Sequence, residues 1–150
     1  MPRSRSARSF FLCAATLLAV PAQAQTPNGL VAAYGFEEGS GTAIGDASGR
    51  NNNGVASGTT WSTAGKFGNA LVFNGTNARV TVPNTASLQL TTSMTLEAWV
   101  FPTTAPTGWR AVVDKTVDGY YLMASTDNGN RPGVGGTWTD GNKNVFGPSV

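Results

Sequence analysis

The sequence predicts an all-β protein, an antiparallel β-sandwich. Apolar residues come in short runs that alternate with polar residues at every second position, and clusters of Gly, Asn, Asp and Ser separate the runs. No window carries a sustained helical period with capping residues at its ends. Because successive side chains of a strand point to opposite faces, this pattern suits two sheets packed face to face.

The first predicted strand is residues 30–36, which are apolar on both faces and are therefore expected at the centre of a sheet. An acidic, Gly-rich stretch ends it. Residues 46–54 are predicted to form a long turn, because Asp and Asn side chains mimic backbone turns and Gly and Asn tolerate positive φ. Residues 55–61 follow as a weaker strand.

Residues 70–73 and 79–82 are predicted to pair as a hairpin around Asn74-Gly75. Pro83 ends the second arm because it cannot donate to a ladder. Residues 93–101 show the clearest alternation of the chain and are predicted to form a strand. We expect its Trp99 in the core.

Residues 110–114 and 119–125 read as a second hairpin-like pair around residues 116–118. A turn follows, and residues 134–138 and 145–146 are short apolar pieces near the end. The count is about eight short strands, as expected for a sandwich.

Residues 1–24 are predicted to be a cleaved secretion signal. Arg3, Arg5 and Arg8 form a positive start, and residues 10–20 form an apolar run too short to span a bilayer. Pro21 breaks the run before the small-x-small cleavage pattern that ends at Ala24. We therefore expect residues 25–150 to form one domain that is secreted or at the cell surface, with no membrane span after cleavage.

Composition excludes several functions for the predicted mature domain. It keeps seven basic and eight acidic residues, so its charge is near −1 and no basic patch remains for nucleic acid. The chain has no histidine, which excludes His-based triads and His-ligated zinc within it. The single cysteine, Cys13, lies in the signal, so no disulfide or cysteine metal site is expected.

Three runs in order carry a resemblance: GNALVFNG at 68–75, VTVP at 80–83 and SMTLEAWVFP at 93–102. Together with LVAAYGFEEGSG at 30–41, they resemble the laminin-G-like jelly-roll domains of the concanavalin A-like lectin/glucanase superfamily. The likeness extends over roughly residues 29–138. It implies a jelly-roll β-sandwich that binds carbohydrate or an extracellular protein, and calcium in some relatives. The family's later strands do not follow, so we expect a domain incomplete at its C-terminus, the N-terminal part of a larger protein.

Carboxylates give no catalytic pair, and we assign no catalytic residue. Glycoside hydrolysis generally needs two carboxyl groups a few ångströms apart, whereas Glu97 is the only acid on its strand, and Asp114 and Asp118 flank a turn. Oxygen side chains alternate at residues 140–144, but Val145 stands where a calcium loop needs Gly. We expect a solvated turn there and assign no metal ligand. No cofactor is required, and Ca²⁺ is implied only by the resemblance.

Aromatic side chains are the candidate ligand contacts, because their faces suit the C–H faces of sugars. We select Trp109, which lies in a loop bounded by Pro and Gly, and Tyr121, one of two adjacent tyrosines that must face opposite sides of a strand. A role in the core or in loop packing is at least as reasonable for both of them, and for Trp61, Trp138 and Tyr120 as well.

The function predicted from these observations is a non-catalytic binding module for carbohydrate or extracellular protein. Two alternatives stay open at this point. One is a glycan-active hydrolase or lyase of the same sandwich fold, or one with a downstream catalytic domain. The other is a structural adhesion domain within a repeat array.

Overall fold

The computed structural model describes residues 28–115 and 119–148. Within them the chain is all-β and antiparallel, which confirms the predicted fold class. The strands, with one 3₁₀ turn at Ala86–Leu88, are β1 Ala43–Ile44, β2 Gly54–Ser57, β3 Thr60–Gly65, β4 Gly68–Val72, β5 Arg79–Thr81, β6 Arg110–Asp114, β7 Tyr120–Ser125, β8 Gly133–Trp138 and β9 Gly141–Phe146.

The described strands form three hydrogen-bonded ladders. One has the order β1-β2-β5, the second is the β3-β4 hairpin, and the third has the order β6-β7-β8-β9. Consecutive strands pair throughout the four-stranded sheet, so the predicted pairing of the strands at residues 110–125 is confirmed. The β6–β7 register shifts twice near Ala111, which marks bulges in that edge strand.

The pairing of the strands between residues 54 and 82 differs from the prediction. Instead of forming a hairpin with each other, β4 pairs with β3 and β5 pairs with β2. The Asn74 turn does form, and its Oδ1 accepts hydrogen bonds from the backbone N–H groups of Thr76, Asn77 and Ala78 at 2.9–3.1 Å. The Asn74-Gly75 sequence therefore predicted the turn correctly, but it did not predict which strand pairs with β4 or β5.

One predicted strand, residues 55–61, is divided in the structure. Strand β2 ends at Ser57, Gly58 adopts φ = 68°, and β3 begins at Thr60. Positive φ lies outside the extended region and suits Gly, so the chain turns there and contributes to two different ladders.

Two further predicted strands, residues 30–36 and 93–101, have no strand pairing among the described residues. In the first, Phe36 adopts φ = 54°, which breaks an extended run. In the second, Trp99 is 68% exposed and Phe101 is 91% exposed, so the expectation of Trp99 in the core is wrong. Alternation specifies the faces of a segment, whereas burial needs a partner across each face.

The buried centre of the described region is polar as well as apolar. Ile44, Ala56 and Tyr120 are its buried apolar residues, and Asn52 is equally well buried. The Tyr120 hydroxyl donates to the carbonyl of Leu88 at 3.2 Å, and this bond joins the four-stranded sheet to the 3₁₀ turn.

Asn52 connects three separate segments. Its Nδ2 donates to the carbonyl of Val31 at 2.7 Å and to Ser87 Oγ at 2.9 Å. Its Oδ1 accepts from Thr85 Oγ1 at 2.5 Å and from Ser87 Oγ at 3.1 Å. Its backbone carbonyl accepts from the hydroxyl of Tyr34 at 2.6 Å. These bonds hold the 46–53 turn against the segment at residue 31 and the segment at residues 85–87.

Candidate functional site

One face of the four-stranded sheet carries polar and aromatic side chains in rows across the strands. In the first row Asp114 of β6 pairs with Tyr121 of β7, Tyr121 with Gly135 of β8, and Gly135 with Asn144 of β9. Residues directly opposite each other share a face of the sheet. The four positions therefore form one line across the sheet.

A second row lies two residues away on the same face. Thr137 of β8 pairs with Asn142 of β9, and the backbone N–H of Thr137 donates to the carbonyl of Gly119 at 2.9 Å. The hydroxyl of Thr137 donates to Asn142 Oδ1 at 2.5 Å. Since positions i and i+2 of a strand share a face, this row extends the polar surface toward the β8–β9 turn.

Between these rows lies an open cleft of about 270 Å³. Its size is just below the usual range of small-molecule sites, roughly 300–1,000 Å³. The lining residues are Trp109, Asp114, Lys115, Gly119, Tyr121, Thr137, Asn142 and Asn144.

Both predicted ligand residues, Trp109 and Tyr121, line this cleft. Their ring centroids are 6.0 Å apart and their planes meet at 85°, an edge-to-face pair. Trp109 lies just before β6 and is 46% exposed. Beside it, the Asn130 side chain accepts the backbone N–H of Gly108 at 3.1 Å, which ties the Trp109 loop to the 127–130 turn.

Gly135 gives the cleft its floor. A Cβ at this position would lie 2.5 Å from Asn144 Oδ1 and 2.7 Å from the Tyr121 hydroxyl oxygen, closer than non-bonded atoms approach. Without that carbon, the Tyr121 side chain crosses β8 and its hydroxyl donates to Asn144 Oδ1. The hydrogen bond joins β7 to β9 across Gly135 and holds the Tyr121 side chain in the cleft.

The other aromatic candidates have structural roles. The Tyr120 side chain is buried, and burial raises the pKa of its phenol. The Trp61 indole N–H donates to the carbonyl of Gly41 at 2.9 Å. Trp99 is exposed, but it lies against Phe67 with the Lys66 ammonium 5.3 Å from its ring centroid.

Carboxylates are sparse at the cleft. Of the acidic residues that the structure describes, Asp114 alone lines it, and glycoside hydrolysis uses two carboxyl groups. Glu97 is exposed on the segment at residues 93–101. Asp118, the other acid named from the sequence, lies outside the described residues. The arrangement can bind polar rings by stacking and hydrogen bonding.

The described residues form no cluster of the side chains that usually bind metals. In residues 28–115 and 119–148, no three His, Cys, Asp or Glu side chains come together as a metal site would require. Residues 140–144 form the β8–β9 turn and the start of β9, where Lys143 and Asp140 pair at 3.3 Å. The calcium implied by the resemblance stays a prediction.

The Asp46 carboxylate is occupied by protein donors. It accepts the backbone N–H groups of Ala33, Ser48 and Asn52, each at 2.9 Å, and the Ser48 hydroxyl at 2.7 Å. Burial opposes ionisation of this group, but the hydrogen bonds from Ser48, Ala33 and Asn52 outweigh it and lower the pKa of Asp46. Its role is to organise the 46–53 turn.

The polar part of the cleft was missed at the level of sequence. The signal that could have found it is the pair of Asn residues two apart, Asn142 and Asn144, which follow the Thr139-Asp140 turn. Folding that turn as a two-residue hairpin places Thr137 opposite Asn142 and puts all three on one face.

Comparison with known proteins identifies the family of this chain. The site and the sheets define an antiparallel β protein with a small polar and aromatic binding cleft. A family model described as the concanavalin A-like lectin/glucanases superfamily matches residues 74–148, which is half of the chain and includes every residue of the cleft. The chain belongs to that superfamily, and at this level it is a binding or adhesion module.

A solved structure gives the same fold. The crystal structure of an S-layer domain-containing protein from Clostridium thermocellum ATCC 27405 aligns with a TM-score of 0.58 and 22% identity. The alignment covers 79% of this chain, which spans 57% of that chain's length. No curated protein matches the sequence significantly. No helix in the described part is long and apolar enough to cross a membrane.

Proposed function

We propose that this chain is an extracytoplasmic carbohydrate-binding module and that the Trp109–Tyr121 cleft is its binding site. The observation that carries the proposal is the meeting of these two aromatic rings on one side of a cleft whose other walls are hydrogen-bonding side chains. A sugar ring presents C–H faces and equatorial hydroxyl groups. The aromatic rings suit the C–H faces, and the hydrogen-bonding side chains suit the hydroxyl groups.

The chemistry divides between the two kinds of wall. The indole of Trp109 and the phenol ring of Tyr121 supply apolar area for the C–H face of a pyranose. Asp114, Thr137 and the two Asn side chains supply acceptors and donors for its hydroxyl groups. Their mutual hydrogen bonds hold the side chains in place before ligand arrives, which lowers the entropic cost of binding.

The extracytoplasmic location rests on two supports. Residues 1–24 have the charge, apolar run and cleavage pattern of a secretion signal. The Clostridium thermocellum protein of similar fold is described as S-layer domain-containing. N-terminal sequencing of the exported protein checks the first support, and Gln25 is the expected first residue.

Binding is tested with the exported protein on a glycan array, followed by calorimetry with each glycan that gives a signal. We expect Trp109→Ala and Tyr121→Ala each to weaken binding about tenfold or more, since stacked aromatic contacts contribute roughly 1–3 kcal/mol by analogy with base stacking. Phe101→Ala removes an aromatic side chain that is 91% exposed and lies outside the cleft, and it is the matched control.

The same measurement is repeated with calcium and with a chelator, because the resemblance implies calcium in some relatives. If glycan binding requires calcium, a calcium ion is part of the binding site. Binding that survives both Trp109→Ala and Tyr121→Ala would place the ligand elsewhere. The absence of any signal on the glycan array would refute the carbohydrate proposal.

A further inference from the structure

The two Asn side chains of the cleft are held in one orientation by internal hydrogen bonds. The Tyr121 hydroxyl donates to Asn144 Oδ1, and the Thr137 hydroxyl donates to Asn142 Oδ1. A hydroxyl has one proton to donate, so it satisfies the oxygen of the amide and leaves the nitrogen. Both amides therefore direct their NH₂ groups away from these bonds.

These NH₂ groups are available to a ligand. Among the described residues, neither Asn142 Nδ2 nor Asn144 Nδ2 donates to a protein acceptor, and both side chains belong to exposed positions on β9. The residues lie two apart on one strand, so the two donors stand side by side on the cleft face. Two exposed donors that lie side by side can each bond one of a ligand's two acceptor oxygens.

Lys115 adds a third donor of the same kind. Its side chain lines the cleft and follows Asp114 directly, so the two opposite charges at this wall offset each other. The hydroxyl protons of Tyr121 and Thr137 are already used within the protein. The two amide NH₂ groups and the Lys115 ammonium are thus donors of the cleft that a ligand can use.

From these free donors we infer that the cleft selects a sugar bearing a carboxylate, a uronate unit, over its uncharged counterpart. The inference rests on the proposed function and names its substrate class. Both oxygens of a carboxylate accept hydrogen bonds and carry charge, and charge-assisted bonds are about twice as strong as neutral ones. A hydroxyl group that accepts from the same two amides carries no charge, so its hydrogen bonds to them are weaker.

The test uses one polymer in two forms: polygalacturonate and its full methyl ester. The ester keeps the same rings but has no carboxylate charge. We expect the exported protein to bind polygalacturonate at least about tenfold more tightly than the ester, as measured by affinity electrophoresis and calorimetry. The preference should shrink as salt is raised, because ions screen an exposed charge interaction.

Two variants test the residues. Asn144→Asp replaces a donor by a negative acceptor, and it should remove the preference for polygalacturonate over the ester. Asn128→Asp makes the same charge change on the exposed 127–130 turn outside the cleft, and it should leave that preference unchanged. Asp114→Asn removes the one carboxylate of the cleft and should strengthen binding of polygalacturonate.

Each outcome decides between the inference and the proposed function. Equal binding of polymer and ester, or array signals confined to uncharged glycans, overturns the donor argument and leaves the carbohydrate module standing. A preference that survives Asn144→Asp also overturns it. Absence of binding to every glycan removes the proposed function, and the inference falls with it.

Discussion

Replacing Asn52 by Ala should destabilise the fold more than any other single polar truncation in the 46–53 turn. The side chain is 1% exposed and makes four hydrogen bonds, two as donor and two as acceptor. A net intramolecular hydrogen bond contributes about 1 kcal/mol, and a buried group left without a partner costs about 1–3 kcal/mol.

The expected loss follows from the partners that are left behind. The Val31 carbonyl loses its Asn52 donor but still accepts from the Ser48 hydroxyl at 3.1 Å, and the hydroxyls of Thr85 and Ser87 still have each other at 3.0 Å. The four lost bonds, at about 1 kcal/mol each, add to about 4 kcal/mol. That is a large part of the roughly 5–15 kcal/mol by which domains are stable. The melting temperature should fall by on the order of 10 °C.

The assay is urea unfolding of the exported protein followed by Trp fluorescence, with the slope of the transition checked for constancy. Asn128→Ala, on an exposed turn, is the control and should stay within about 0.5 kcal/mol of wild type. If Asn52→Ala does not fold, Ser87→Ala measures a smaller version of the same effect, about 1 kcal/mol. A loss below about 1 kcal/mol for Asn52→Ala, with an unchanged slope, would refute the view that this side chain joins the three segments.

Three other predictions follow from the structure. Gly135→Ala should break the Tyr121–Asn144 hydrogen bond and fill the cleft floor, so glycan binding should fall at least tenfold while the circular dichroism spectrum stays that of a β protein. The pKa of Asp46 is lowered in the folded state, so its contribution to stability is present above the unfolded pKa of about 3.9 and is lost as pH falls through the folded value; Asp46→Asn should flatten the acid limb of stability against pH. Burial, with the nearby Asp46 and Tyr120, raises the pKa of Tyr34 to about 12. The free energy of unfolding should therefore fall as pH rises from about 10 through 12. Ultraviolet titration should show one phenol that ionises near pH 12, and Tyr34→Phe should remove it. A Tyr34 phenol that titrates near its ordinary value of about 10 would contradict its hydrogen bond to the Asn52 carbonyl.

Sequence reasoning succeeded where neighbours in the chain are also neighbours in space. Strands β6 and β7 are neighbours in the chain and in the sheet, so short runs and turn residues were enough to indicate their pairing. Adjacent tyrosines must face opposite sides of a strand, which separated Tyr121 in the cleft from Tyr120 in the core. The two aromatic ligand candidates meet in one site for this reason.

Alternation of apolar and polar residues, together with Gly and Asn at the turns, determined by itself that this chain is an antiparallel β protein. Only the tertiary structure decided that β4 joins β3, that β5 joins β2, that Trp99 is exposed, and that the amide oxygens of Asn142 and Asn144 accept the hydroxyls of Thr137 and Tyr121. The physical reason is that a period of two marks the faces of a segment. The choice of partner, the register and the orientation of an amide depend on atoms distant in the sequence.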